Sequence, residues 1–214
     1  MSLIVHHLNN SRSQRILWLL EEIGAPYEIK FYDRDQTTNL APPELVAVHP
    51  LGKSPLIEEL DDSASGGRGR VIMESGAITE YLCERHGGGH LVPARGSDDH
   101  VSHLEWLHFA EGSAMTPILL RIYTARLGEA AAPLEPRIAQ QLDALFPYME
   151  SRVGDNGHFI GDSLSAADIM LSFPAEIAVM QGMAPRYPKL AAFVNACHVR
   201  PAWQRAREKG GAYY

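Results

Sequence analysis

An α/β domain followed by an all-α domain is the architecture this sequence predicts. Through roughly the first 85 residues, short runs rich in β-formers alternate with apolar residues at helical spacing. A glycine- and proline-containing stretch, HGGGHLVPARG at 86–96, then interrupts the pattern as a linker would. Beyond it apolar residues recur only at helical period, with no strand pattern and no internal repeat. These three observations divide the chain into a first domain over 1–86 and an all-helical domain over 97–214.

SLIVHH (2–7) is the first strand, and LNNS turns the chain. From about Arg12, the residues Ile16, Leu17, Leu19, Leu20 and Ile23 fall at helical spacing. Gly24-Ala25-Pro26 ends that helix, with glycine at its close and proline just beyond. YEIKFY (27–32) alternates at period two, so strand, helix and strand fit a parallel pair with a crossover helix. APPELVAVHP predicts a short helix or turn with proline at its start, where a missing N–H costs little. SPLIEEL and RVIM flank the turn-rich DDSASGGRG and read as an antiparallel hairpin. A helix then opens at Ser75 and runs to about Arg85. In the second domain the period predicts a long helix over about 98–127, bent at Pro117. Helices over about 134–153 and 165–181 follow, then shorter ones to about Lys209.

Apolar residues make up 45% and charged residues 21% of the 214, enough to bury a core. A net charge of −7 without a basic stripe argues against a nucleic-acid partner. No run of 18 or more apolar residues suggests a membrane span. MSLIVHHLNNSRSQR lacks the parts of a secretory signal, so a cytoplasmic protein is expected. Cys83 and Cys197 lie far apart, outside any CxxC pair, and are expected as reduced thiols in helices.

Three segments carry chemistry. HPLGKSP (49–55) puts Pro55 at the head of a strand, where it removes a ladder donor, and proline narrows the cis–trans gap at Ser54–Pro55. On its own it would also suit a plain turn. MESGAITEYL (73–82) sets Glu74 and Ser75 at a strand-to-helix corner, where unpaired N–H groups attract a carboxylate. Ser75 would equally serve as a helix N-cap. SLSAADI (163–169) spaces Ser165 and Asp168 as a capping box, with Leu164 and Ile169 placed as a hydrophobic staple.

In these three ordered motifs the chain resembles the soluble glutathione transferases. The resemblance is closest to a fungal and bacterial group with sequences like SRxxRLLWLLEE and APPELxxxHPLGxSP, here SRSQRILWLLEE and APPELVAVHPLGKSP. It implies a thioredoxin-like first domain and a helical-bundle second domain. It implies that the proline matching Pro55 is cis and that Ser54 offers its N–H and C=O to the cysteinyl part of glutathione, strand-like. An apolar residue is usual before this proline, so Ser54 departs from the pattern, although the backbone role survives. Ser75 would hold the γ-glutamyl carboxylate, Glu74 would face the ammonium, and Lys53 would partner the glycyl carboxylate. Second-substrate candidates are Met115, Leu119 and Tyr123 of the long helix, spaced i, i+4, i+8; the bland reading of such a stripe is core. The family also implies a homodimer. Glutathione would be a co-substrate, with no resident cofactor or metal.

Conjugation requires the thiolate, and an unperturbed thiol ionises near pH ~8.5. Counting back from Gly24, the family's first-strand tyrosine position falls near His6, where no tyrosine stands. The alternative serine or threonine position falls at Asn10, with Ser11 adjacent, and either can donate. Ser13 lies further in. No cysteine stands near Arg12, against a mechanism in which the protein supplies the thiol. Backbone N–H groups at the helix start are the remaining activators.

Other clusters are weaker. Asp98, Asp99, His100 and His103 fall at helical spacing but lack HExxH, and acidic residues at a helix start already serve its dipole. SASGGRGR lacks the GK[ST] ending of a phosphate loop. The leading function is conjugation of glutathione to small apolar electrophiles. Peroxide or disulfide reduction at the same site, and a non-catalytic ligand-binding role, are the alternatives.

Overall fold

The computed structural model describes residues 2–60 and 69–211; most of the segment read as a hairpin tip, 61–68, lies outside them. Among the described residues the chain forms two compact units. One is built from the chain up to His90 together with the segment from Val199 onward, the other from Leu91–His198.

The first unit begins with β1 (Ser2–Leu8), α1 (Ser13–Ile23), β2 (Glu28–Tyr32) and α2 (Pro43–Val48). It continues with β3 (Leu56–Leu60), β4 (Arg70–Met73) and α3 (Ser75–Arg85). The sheet order is β2-β1-β3-β4, with β1 and β2 parallel and the other pairs antiparallel. This is the thioredoxin-like arrangement. Two registers align the strands at one end of the sheet: His6 pairs with Leu56, and Leu56 pairs with Met73. The end of β1, the start of β3 and the end of β4 therefore meet at one edge.

Side chains alternate across β1 with the period of two expected of a strand. Leu8 packs with Tyr32, Leu45 of α2 and Leu56 on one face. His7 turns to the other face, toward α1. Eight consecutive residues of α1, Ser13 to Leu20, are buried, and Gly24 closes the helix at φ 75° with its N–H on the Leu20 carbonyl.

The helical domain expected over 97–214 does not keep its last segment. The last helix, α9 (Pro201–Gly210), instead packs on the first unit. Arg200 grips Glu22 through two contacts, 2.6 and 3.0 Å, and Arg205 and Lys209 both reach Glu21. Helical period cannot report a charge match between segments some 180 residues apart. Burial favours the neutral form of both glutamates, yet the Arg200, Arg205 and Lys209 partners outweigh it and hold both carboxyls below the usual 4.5. A depressed carboxyl stabilises the fold above its unfolded pKa and loses that contribution as pH falls through its folded value. Stability should therefore drop as pH falls below about 4.5. Glu22→Gln should remove part of that slope, about 1 kcal/mol because Arg200 is partly exposed, as measured by urea unfolding at pH 7 and pH 3.

The second unit holds α4 (Asp98–Phe109), α5 (Met115–Thr124), α6 (Glu135–Arg152), α7 (Ala166–Met180) and α8 (Pro188–His198). The expected long helix is interrupted by a π-helical turn at Ala110–Ala114, upstream of the expected bend at Pro117. Pro117 has no N–H for the Ser113 carbonyl and its ring crowds that group, so the ladder widens in the turn before it. Ser165 caps α7 in a full capping box with Asp168, and Leu164 and Ile169 are both buried. Cys83 in α3 and Cys197 in α8 are buried, and neither is in a disulfide among the described residues.

Candidate functional site

The β1–α1 turn is clamped from beneath. The Arg34 guanidinium donates to the carbonyls of Asn9, Asn10 and Asn39, and its backbone N–H donates to Asn9 Oδ1. Asn10 sits exposed at φ 48°, a left-handed conformation asparagine tolerates. Ser11 follows, 6% exposed, at the head of α1. Its Oγ accepts the Ser13 N–H and lies 2.7 Å from Ser13 Oγ. Of the two side chains read as thiol activators, Ser11 alone enters a buried hydroxyl cluster.

The Ser54–Pro55 bond is cis. Ser54 precedes the ladder, which starts at Leu56. The serine that replaces the family's usual apolar residue has a structural use here. Its Oγ donates to the His6 carbonyl at 3.1 Å, accepts the Leu8 N–H, and lies 3.3 Å from Ser11 Oγ. The hydroxyl thus ties the loop before β3 to the β1–α1 turn. Lys53 beside it is exposed, and Pro55 is buried.

At the β4–α3 corner Glu74 takes φ 69° and ψ 124°, a region unfavourable for a residue with a Cβ. Such strain persists where surrounding structure fixes it, and it clusters at functional sites. Glu74, not Ser75, is the N-cap; Ser75 is the buried first residue of α3. The Glu74 side chain makes no capping hydrogen bond to this helix start. Because Met73 pairs with Leu56, this corner stands next to Ser54.

His6 and His7 point opposite ways. His6 Nδ1 meets the Tyr32 hydroxyl at 2.8 Å, with Glu58 3.5 Å from its other nitrogen. Burial lowers its proton affinity despite Glu58. His7 lies between Ser13 and the end of α9, with Nδ1 2.8 Å from Ser13 Oγ and Nε2 3.0 Å from the Gly210 carbonyl. In the sequence, Ser13 lies beyond the expected hydroxyl position and His7 appears only as a strand residue. Period-two alternation could have placed His7 opposite His6, toward α1. Nothing local announces Gly210, 203 positions away.

In the second unit Met115 is 2% exposed and belongs to the core, Leu119 is half-buried and Tyr123 is 60% exposed. The three share a helix but not an environment. His103 is buried against His100, its pKa pushed down to about 4 by burial first and His100 second. Among the described residues no three His, Cys, Asp or Glu side chains gather where a metal could bind, and no helix is long and apolar enough to cross a membrane.

Residues 1–84 match the glutathione S-transferase N-terminal domain and residues 113–201 the glutathione S-transferase C-terminal domain. Glutathione S-transferase 3 of Schizosaccharomyces pombe is 33% identical over 97% of this chain and 87% of its own length. A glutathione S-transferase from Actinobacillus pleuropneumoniae superposes with a TM-score of 0.81 at 29% identity, covering 99% of this chain and 94% of that one. A glutathione transferase family member from Pseudomonas fluorescens, solved with two glutathione bound, gives a TM-score of 0.74 at 25% identity, covering 96% and 92%. The chain belongs to the glutathione S-transferase family.

Proposed function

We propose that this sheet edge binds glutathione as its thiolate and delivers it to small apolar electrophiles. The observation that carries the reading is the row His6–Leu56–Met73, which brings Ser11, Ser54 and the Glu74–Ser75 corner to one end of the sheet. Ser54 pairs its N–H and C=O with the cysteinyl residue across the head of β3, with Pro55 holding the turn. Ser75 and the first-turn N–H groups of α3 receive the γ-glutamyl carboxylate, and Glu74 faces the ammonium. Lys53 offers a cation to the glycyl carboxylate. Ser11 donates to the sulfur at the positive end of α1, with Asn10 the rival donor. The strain at Glu74 supports the assignment, since it fixes the corner independently of any capping need. On α5, Leu119 and Tyr123 are open to a second substrate in a way Met115 is not.

Turnover of glutathione with a chromogenic aryl halide, run beside a hydroperoxide assay, tests the reading. Conjugation saturating in glutathione is expected. Retention on a glutathione resin without conjugation, or peroxide reduction alone, would contradict the transferase assignment.

We further propose a homodimer, because closed two-fold assembly is the commonest oligomer and the family forms one. Light scattering should give about twice the 23.6 kDa chain mass at micromolar concentration, and a monomer would refute it.

A further inference from the structure

A buried line of polar atoms in the first unit has no part in the assignment above beyond its outer end: Ser11, Ser13, His7 and Gly210. Its hydrogens can be placed by elimination. The Gly210 carbonyl only accepts, so His7 Nε2 carries a hydrogen and donates to it at 3.0 Å. In the neutral ring Nδ1 is then bare and accepts the Ser13 O–H at 2.8 Å. Ser13 has a single hydroxyl hydrogen, and the Ser11 hydrogen can go either to Ser13 Oγ at 2.7 Å or to Ser54 Oγ at 3.3 Å; the shorter contact takes it. Ser11 thus directs its hydrogen inward, away from any sulfur. One proton added at His7 Nδ1 reverses the line. Nδ1–H then donates to Ser13, Ser13 donates to Ser11, and the Ser11 O–H turns outward, the side on which Ser54 Oγ lies at 3.3 Å.

Resting on the glutathione reading of the site, we infer that His7 is the store for the proton of the bound thiol, reached through Ser13 and Ser11. The S–H bond breaks and its electron pair stays on sulfur. The proton passes to Ser11 Oγ as the Ser11 proton passes to Ser13 Oγ and the Ser13 proton to His7 Nδ1. A neutral thiol and a neutral imidazole become thiolate and imidazolium, and nothing is released to solvent. The same shift leaves Ser11 donating to the new anion. His7 touches no substrate; it is a positioning residue that acts through two hydroxyls.

The surroundings suit a ring that stays neutral until glutathione arrives. His7 is 1% exposed, and burial lowers its proton affinity while the Gly210 carbonyl works in the opposite direction. Phe31 of β2 meets the ring edge-on at 5.7 Å. On α9, Arg205 and Lys209 are paired with Glu21, and Arg200, just before the helix, with Glu22. Arg12 and Arg15, at the start of α1, are cations as well. In the proposed transfer the thiolate supplies the charge that compensates the imidazolium. Glycine at 210 lets α9 end this close to α1: a Cβ there would come within 2.5 Å of Gln14 Oε1 and 2.6 Å of Leu17 Cδ1.

Counting protons tests the inference. Reduced glutathione is titrated into the whole protein near pH ~7, below the free thiol's pKa, in buffers of different ionisation enthalpy. Ultraviolet absorbance of the same mixtures reports thiolate. The wild type should form thiolate with close to zero protons released per site. Ser13→Ala should lose about tenfold in thiolate population or release about one proton per thiolate formed, and Ser13→Thr should restore the wild-type result. Thiolate formed by the wild type with about one proton released would overturn the inference and leave the binding reading intact. Binding heat without thiolate, or a folded Ser13→Ala that behaves as wild type, would overturn it too. Absence of any binding heat would refute the glutathione reading itself and the relay with it. If Ser13→Ala does not fold, the wild-type proton count decides alone.

Discussion

Asp168→Ala should lower the stability of the second unit by about 3 kcal/mol, from two buried N–H donors losing their acceptor at about 1–3 kcal/mol each. The residue is fully buried. One carboxylate oxygen accepts the Phe159 N–H at 2.9 Å. The other accepts the Ser165 N–H at 2.8 Å and the Ser165 hydroxyl at 2.7 Å. Ser165 Oγ in turn accepts the Asp168 N–H. Spacing alone would predict the cost of a lost cap, about 1 kcal/mol. The added Phe159 contact and complete burial raise that figure, because water cannot replace the missing oxygens. Urea unfolding measures the loss, and a change under about 1 kcal/mol would contradict the buried network. Glutathione affinity of the folded variant should be unaltered, since the proposed contacts lie in the first unit. A large loss of affinity would give Asp168 a functional role.

Ser11→Ala should raise the pKa of bound glutathione by about one to two pH units while glutathione still binds. A charge-assisted hydrogen bond contributes roughly 1.5–3 kcal/mol, and 1.36 kcal/mol is about one unit. Conjugation near neutral pH should fall about tenfold or more and partly recover as pH rises, because the thiolate is the reactive form. The glutathione contacts proposed for Ser54, Glu74 and Ser75 do not run through the Ser11 side chain, although Ser54 Oγ loses its 3.3 Å neighbour, so the loss should fall mainly on kcat. Asn10→Ala, measured in parallel, should change little: its side chain lies outside the hydroxyl cluster that holds Ser11. A titration moved by Asn10→Ala and not by Ser11→Ala would reverse the assignment. If neither variant moves it, the backbone N–H groups at the start of α1 are the activators.

Most of the fold was legible because its signals are local. Gly24 and Pro26 marked the end of α1, alternation marked β2, and Ser165 with Asp168 marked the start of α7. The interruption before α5 was placed at Pro117 itself, because sequence identifies the residue that disturbs a helix ladder but not which turn relaxes. The association of α9 with the first unit was hidden, since Arg200, Arg205 and Lys209 have meaning only once Glu21 and Glu22 stand opposite them. The site divides in the same way. Ser54, Pro55, Glu74 and Ser75 sit in contiguous motifs. Met115 and Tyr123 were grouped by spacing, yet spacing fixes only a helix face and not how deeply each turn is packed. The link from Ser13 inward was not legible, because His7, Ser13 and Gly210 come from three elements and share no motif.

The edge formed by Ser11, Ser54 and the Glu74–Ser75 corner is proposed to bind glutathione and ionise it. Ultraviolet thiolate absorbance of the wild-type complex, titrated against pH with S-methylglutathione as the blank, tests it most directly. The bound thiol should titrate at least one unit below the ~8.5 of an unperturbed thiol, so that thiolate predominates at neutral pH. A complex that forms but titrates like free glutathione would contradict the claim.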